Sequence, residues 1–399
     1  MHPRRADLLS VEEAQDRVLG LVEPLGSANV PLLDADGLVL AEDIFAPFDI
    51  PGLANSAMDG YATSGDGPWL LKGESRAGAP FDMVLGKGDA IRISTGAQMP
   101  LGADAVLVQE EAQVDGTRLT ATEPPTARFI RRAGLDFKAS DTLLEAGTRM
   151  GAAQIALTRA GGVAEVVTHD APRVAVIECG DELARDPTAC EPHQTPAVNG
   201  AMLAAMAREA GAQVRQIGPV ADDAQEITRA ILAASEDAAL VVISGGASVG
   251  PHDLVKPALE AAGFTLDFWR IAIKPGKPLL VARRADTVVL GLPGNPVSSY
   301  VTGFLFMVPA LLRMAGAKDC LPRAIPMPLA RDLPPGGGRR EFLRAWWTPE
   351  GLVAAELQDS SALTPLAQAQ VLIDRPARAE ASEAGAFVPA FLLETRTYA

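Results

Sequence analysis

Between residues 172 and 317, short apolar runs alternate with helical stretches, and this alternation restricts the fold more than any other feature of the chain. "RVAVIE", "QVRQIGPV", "ALVVIS" and "TVVLGL" are rich in β-branched residues and too short for helices. "GAMLAAMAREAGA", "DAQEITRAILAAS", "LVKPALEAAG" and "PVSSYVTGFLFMVPALLRMAG" read as the helices that separate or follow them. Strands alternating with helices of this length predict a doubly wound α/β domain, its parallel sheet covered on both faces. Ligands on such sheets bind in loops at the carboxyl ends of the strands.

A chain of 399 residues is too long for one ordinary core, so further domains are expected on either side. Ser10-Val-Glu-Glu13 is a capping box that opens an amphipathic helix to about Val22. From about 31 to 147, short runs such as "AIRIS", "AVLVQE" and "TRLTATE" alternate with Gly, Pro and Asp clusters, the texture of a small β module. "GAAQIALTRAGG" (151–162) reads as a helix closed by glycines, and after 317 the chain returns to short strands and Pro/Gly turns.

A net charge of −15 argues against nucleic-acid or anionic-membrane binding, each of which needs a basic face. Cys179, Cys190 and Cys320 have no C-x-x-C spacing, and an odd count does not suit a disulfide framework, so a cytoplasmic setting is expected. The four histidines are scattered, which disfavours a His/Cys zinc site. The N-terminus lacks the apolar core of a signal peptide. The greasy stretch 300–312 is too short to span a bilayer and contains Pro309, so it reads as a core helix.

"ISGGASVGPHD" (243–253) contains G-x-S-x-G, the spelling of a hydrolase nucleophile elbow. Such an enzyme needs an acid and then a histidine later in the chain, but the only histidine after Ser248 is His252. The serine also stands several residues beyond its strand instead of on the turn directly after it. Ser248 is therefore not read as a nucleophile. The glycines instead let backbone amides approach an anion.

Three other loops of the α/β domain join this one. "IECGDEL" carries Asp181 and Glu182, "IAIKPGKPLL" places Lys274 and Lys277 on a proline-stiffened turn just after Arg270, and "GLPGNPVSS" leads into the long helix. The lysine turn is not a Walker A loop, since no Ser or Thr follows the lysine. Together these loops suggest an anion pocket. Asp181, Glu182, Asp222, Asp223 and Asp253 fall at predicted element ends nearby. Carboxylates beside a phosphate site repel the ligand unless a divalent cation bridges them, and hard oxygen donors suit Mg²⁺. Asp222 and Asp253 could also be plain helix N-caps.

"NSAMDGYA" (55–62), "AIRISTGAQMPLGADAVLVQEEA" (90–112), "GDEL" (180–183), "SGGASVGPHDLVK" (244–256), "KPGKPL" (274–279), "GLPGNPVSS" (291–299), "REFLRA" (340–345) and "LTPLAQAQVLI" (363–373) follow one another in this order. In this the chain resembles the molybdopterin molybdenumtransferases, bacterial MoeA and the E domain of gephyrin, over nearly its whole length. The resemblance implies an enzyme that inserts molybdate into adenylylated molybdopterin and releases AMP, with Mg²⁺ or another divalent cation. It implies an N-terminal linker domain (1–45 and 140–170), an inserted β domain (46–139), an α/β molybdopterin-binding domain (171–317) and a C-terminal β barrel (318–399). It further implies a homodimer with sites at the subunit interface, and it leaves room for transient contact with a molybdopterin adenylyltransferase.

Carried over by position, the resemblance makes Asp59, Thr95, Glu182, Asp222, Asp253 and Lys274 catalytic, with Asp59 and Thr95 entering across the dimer interface. Glu182, Asp222 and Asp253 would hold the cation. Gly245, Gly246, Ser248, Gly250, Arg270, Lys277, Pro293, Asn295, Ser298, Arg344 and Ser360 would bind the pterin nucleotide and molybdate. Molybdate can itself attack, so no protein nucleophile is needed. The chain departs from the family's usual pattern at Glu178-Cys179, where Ser-Thr is usual, at Pro251-His252, at Asp359 in place of Gly, and at Thr364-Pro365. Two alternatives stay open: a molybdopterin adenylyltransferase-like enzyme, and a non-catalytic scaffold of the same architecture.

Overall fold

The computed structural model describes residues 8–246 and 254–393. Helix α1 (Val11–Gly20) opens on the expected capping box: Glu13 N donates to Ser10 Oγ at 3.1 Å, and Ser10 N donates to Glu13 Oε2 at 2.8 Å. The helix buries Val11, Ala14 and Val18. Strand Ser27–Pro31 then pairs antiparallel with Glu165–His169, so the chain leaves and re-enters this region around an inserted module. The module is a six-stranded sheet of β1 (Gly60–Thr63), β2 (Trp69–Ser75), β3 (Asp89–Ile93), β4 (Ala105–Val108), β5 (Ala112–Asp115) and β6 (Arg118–Ala121), in the order β4-β1-β3-β2-β6-β5. Ala62, Ile91, Ile93 and Val106 form its core. Helix α2 (Ala152–Ala160) follows it.

The central domain runs β7 (Arg173–Cys179), α3 (Asn199–Glu209), β8 (Gln213–Val220), α4 (Ala224–Ala234), β9 (Leu240–Ser244), α5 (Val255–Ala261), β10 (Thr265–Trp269), β11 (Ile273–Lys274), β12 (Leu280–Arg284), β13 (Thr287–Leu292) and α6 (Pro296–Met314). Its main sheet has the order β8-β7-β9-β13-β12-β10. The period of two along each strand sorts the core into two layers. Val174, Val176, Leu240, Val242, Val288 and Leu290 pack with residues of α3 and α6. Ala175, Ile177, Val241, Ile243 and Val289 pack with Ile227 and Ile231 of α4 and Val255 and Leu259 of α5.

The sheet is mixed where the sequence suggested a parallel one. β7, β8, β9 and β13 are parallel, but β12 is antiparallel to β13 and β10 to β12. Only Ala285 and Asp286 separate β12 from β13, and so short a connection can join only antiparallel neighbours.

Helix α6 is long and apolar enough to cross a membrane by composition, yet 72% of it is buried within the fold. Its middle, Gly303–Met307, widens into a π-helical turn just before Pro309. Proline has no amide to offer the carbonyl four residues back. That carbonyl, Leu305 O, instead accepts from Gln15 Nε2 of α1 at 3.0 Å.

The last region comprises β14 (Ile325–Pro328), β15 (Arg340–Thr348), β16 (Gly351–Ala354), β17 (Val371–Arg375) and β18 (Phe387–Leu392). The strands pair β15-β17-β18-β14, with β16 on the free side of β15. A bridge from Leu329 to Leu352 closes this sheet into a small barrel around Met327, Val371 and Ile373. β11 lies parallel to β15, with Lys274 opposite Glu341, and so ties the barrel to the central domain.

Candidate functional site

The chain visits β8 on one side of β7 and then β9 on the other, and this reversal leaves a crevice at the carboxyl ends of the strands. A cleft of about 610 Å³ opens there. Cys179, Gly180 and Glu182 reach it from the end of β7, Asp222 from β8, Gly245 and Gly246 from β9, and Pro293, Gly294 and Asn295 from β13.

Backbones approach one another closely in this crevice. Gly245 has φ +89°, and a Cβ there would lie 2.2 Å from the carbonyl oxygen of Cys179. Its Cα lies 3.6 Å from where a Cβ on Gly294 would stand. The two glycine turns are therefore packed backbone to backbone.

A second wall is the turn between β11 and β12, with Lys274, Pro275, Gly276, Lys277 and Pro278. The turn is held at both ends: Ile271 N donates to Lys277 O at 3.2 Å, and Arg339 donates to Ile273 O at 3.0 Å. Lys274 Nζ donates to Glu341 Oε1 at 2.9 Å. The Glu341 side chain is buried while that of Lys274 is half exposed, so a buried carboxylate of the barrel orients a cation at the cleft.

The third wall is the barrel loop carrying Gln358, Asp359 and Ser360. It docks on the start of α6, where Val297 N donates to Ser360 O at 3.0 Å and Asn295 Nδ2 to Ser360 Oγ at 2.8 Å. Asp359 accepts from Ser361, and these hydrogen bonds hold its carboxyl below the usual range.

Glu182, Asp222, Gly245, Gly246, Lys274, Lys277, Pro293, Asn295, Ser298 and Ser360 thus come together from the residues expected at a site. Ser248, Gly250 and Asp253 lie outside the described residues. Two of the expected residues lie off the cleft surface. Arg344 does not line the cleft; it is 1% exposed and bonds Gln358 Oε1 and Ala362 O, so it holds the third wall from beneath. Burial pushes its guanidinium pKa down. Arg270 is likewise absent from the lining. The N-cap of α4 is Asp223, which accepts from Gln225 N and Glu226 N, and this leaves Asp222 to face the cleft.

Asp59 and Thr95 do not line the cleft either. They meet each other in the inserted module, where Thr95 N and Oγ1 donate to Asp59 Oδ1 at 2.6 and 3.0 Å. Those bonds, the backbone one first, lower the Asp59 pKa.

Arg339, Gln358 and Glu341 were not foreseen. Arg339 and Glu341 flank the first residue of β15, and only the pairing of β15 with β11 brings them to the lysine turn. Cys179 is buried, and burial, with the charges of Asp222 and Glu178, pushes its thiol up to about 12. It is therefore a protonated, unreactive wall.

The carboxylates Glu182 and Asp222 stand in the same cleft as Lys274, Lys277 and Arg339. Such a site can hold an anionic ligand on the cations, with hard oxygen donors on the other side for a divalent metal. Among the described residues no three of His, Cys, Asp and Glu converge as a ready metal site. A groove of about 650 Å³ in the inserted module, lined by Trp69, Arg118 and Glu123, is built by neither the strand-end loops nor the lysine turn.

Three family profiles match the chain in succession. They are the MoeA N-terminal region (domain I and II) over residues 9–162, a probable molybdopterin binding domain over 175–313, and the MoeA C-terminal region (domain IV) over 326–393. The chain is 35% identical over 320 residues to a molybdopterin molybdenumtransferase of Haemophilus influenzae, covering 78% of this chain and 79% of the relative. It is 31% identical over 406 residues to the enzyme of the same name from Staphylococcus epidermidis, covering 98% and 97%. A crystal structure of the molybdopterin biosynthesis MoeA protein of Pyrococcus horikoshii superposes with a TM-score of 0.82 at 26% identity, covering 97% of this chain and all of the other.

Proposed function

The chain belongs to the MoeA family of molybdopterin molybdenumtransferases, and from that premise we propose that its cleft carries out molybdate insertion in molybdenum cofactor biosynthesis. The substrates are adenylylated molybdopterin and molybdate, and AMP is released. One observation carries this reading: a proline-stiffened lysine turn, a double-glycine turn and two carboxylates converge on one cleft at the sheet's switch point.

The pterin phosphate and adenylate lie along the amides of Gly245 and Gly246 and the turn at Pro293, Gly294 and Asn295. Backbone can approach a phosphate there because no side chain intervenes. Lys274, Lys277 and Arg339 carry the positive charge that gathers molybdate beside the phosphoanhydride. Glu341 fixes where the Lys274 ammonium points. A molybdate oxygen attacks a phosphorus of the anhydride as its P–O bond to the other phosphate breaks and AMP leaves. The Mo–O bond to that oxygen then breaks as the two dithiolene sulfurs bind the metal, so the oxygen stays on the phosphate. The protonated Cys179 thiol, the one cysteine among the described lining residues, takes no part.

Mg²⁺ fits the donor chemistry of the opposite wall, because Glu182 and Asp222 are exposed carboxylates beside the phosphate turns. Those two, with Asp253 as the third proposed ligand, would hold it. When bound it neutralises charge on the phosphoanhydride as AMP leaves.

The cleft of one chain lacks Asp59 and Thr95, and we propose that a second copy brings them, so that the working unit is a homodimer. The cysteine usage supports a cytoplasmic setting, and an adenylyltransferase in transient contact would deliver the nucleotide.

The test supplies purified protein with adenylylated molybdopterin, Mg²⁺ and molybdate. Molybdate-dependent AMP release is expected, with Lys274→Ala slower by roughly 10²-fold, the scale for removing one electrostatic donor. Adenylylation of free molybdopterin by ATP, without molybdate dependence, would overturn the proposal.

A further inference from the structure

Beneath the cleft floor, buried side chains connect three of the strand-end loops. Glu178, near the end of β7, is 6% exposed, and its carboxylate sits on the first turn of α3. Asn199 N donates to its Oε1 at 3.0 Å and Gly200 N to its Oε2 at 2.8 Å. The helix N-terminus and the carboxylate attract each other, and two otherwise orphaned amides are satisfied. A Cβ on Gly200 would fall 2.7 Å from Glu178 Oε2, so glycine lets the helix settle onto the acid.

The helix so anchored presents Asn199 under the cleft. Asn199 is 5% exposed, and Nδ2 donates both to Ser244 Oγ at 3.0 Å and to Gly294 O at 2.7 Å. Ser244 Oγ donates to Pro293 O at 3.3 Å and lies 3.3 Å from Ser299 Oγ. Ser244 opposite Leu292 is the last pair of the β9–β13 ladder, and both cleft turns begin just beyond it. Past that point the backbone ladder no longer sets the gap between Gly245-Gly246 and Pro293-Gly294, and a side-chain amide spans it. Asn199 Oδ1 is buried with no hydrogen-bond partner, so the amide is held by its two donated bonds at some cost in desolvation.

We infer that Glu178 and Asn199 are positioning residues. Glu178 pins the start of α3, and the Asn199 amide fixes the spacing of the two turns that bind the pterin nucleotide. Neither touches substrate. The inference rests on the cleft being the catalytic site proposed above, and its first test does not need that reading.

In Asn199→Ala, hydrogen exchange of the unliganded protein should rise in peptides covering 240–246 and 291–297 and stay unchanged in α4 and the inserted module. Unchanged exchange in both turns, or a rise spread over the whole domain, would overturn the clamp. In the enzyme assay the KM for adenylylated molybdopterin should rise about tenfold while kcat per folded molecule stays within about twofold, because ground-state placement is lost. A loss in kcat with an unmoved KM would refute the positioning role and leave a structural one. Ser244→Ala, which keeps the Asn199–Gly294 bond, should shift both readouts the same way by less. Combining it with Asn199→Ala should add little, since both act on one clamp. Glu178→Asp should recover more of the wild-type KM than Glu178→Ala. A wild-type protein that releases no AMP would sink the proposed function, while the exchange experiment would still decide the clamp.

Discussion

The close approach of Gly245 to the end of β7 makes Gly245→Ala a severe change at a solvent-reaching position. The new methyl would stand 2.2 Å from the carbonyl oxygen of Cys179 and 3.2 Å from its carbon, both backbone atoms of β7. That strand is bonded on both sides, to β8 and β9, so the obstacle cannot swing away. At φ +89° an alanine also carries left-handed strain, about 1–2 kcal/mol. Forcing the loops apart adds about 1–3 kcal/mol, the usual scale of overpacking. Together these give roughly 2–5 kcal/mol. Gly294→Ala is the internal control, because its Cβ would meet nothing nearer than 3.6 Å, an ordinary contact. Thermal unfolding followed by circular dichroism should show a loss of several degrees for Gly245→Ala, at about 2–4 °C per kcal/mol, and within about 2 °C of wild type for Gly294→Ala. Equal Tm values for the two variants would refute the claim that the crevice is sterically closed to a Cβ on one side only.

Three further outcomes follow from other parts of the molecule. The Cys179 thiol, raised from 9.0 to about 12, keeps its proton in the folded state after the unfolded chain has lost it. Its contribution to stability is therefore full below pH 9 and falls as pH rises toward 12, so urea titrations of wild type against Cys179→Ala between pH 8 and 10 should converge or cross by ~1–2 kcal/mol; a pH-independent difference would contradict this. Gln15→Ala should cost about 1–2 kcal/mol because it leaves the Leu305 carbonyl unpaired beside Pro309, and restoring the α6 amide with Pro309→Ala should remove most of the penalty in a double-mutant cycle. Asp59→Ala and Lys274→Ala should each be strongly slowed, and mixing them after subunit exchange should restore about a quarter of wild-type turnover if sites are shared across a twofold interface; no recovery would mean that Asp59 acts within its own chain, and full activity of Asp59→Ala alone would mean that it does not act.

Much of the site was legible because the signals were local. Apolar β-branched runs and capping residues marked β7, β8, β9 and β13, and the loops at their ends became the cleft. The antiparallel edge was harder to see. β10 and β12 flank the lysine turn, whose prolines and glycine read as loop, and the two-residue reversal at Ala285-Asp286 sets the strand direction. Arg344 stands in a motif as a charged residue and so suggests a ligand, while its burial depends on how the Gln358 loop folds over it. Glu341, Arg339 and Asn199 act through contacts made by elements distant in sequence, and no periodicity marks these. The G-x-S-x-G spelling was a false lead: its first glycine, Gly246, takes part in a backbone turn facing the cleft.

Molybdate insertion at this cleft is tested most directly by a single-turnover reaction in which molybdenum bound to the pterin and AMP released are counted together. With wild-type protein, adenylylated molybdopterin, Mg²⁺ and molybdate, about one molybdenum should be inserted per AMP, with both products strongly reduced in Lys274→Ala. AMP appearing without molybdenum on the pterin, or at equal rates with and without molybdate, would contradict it.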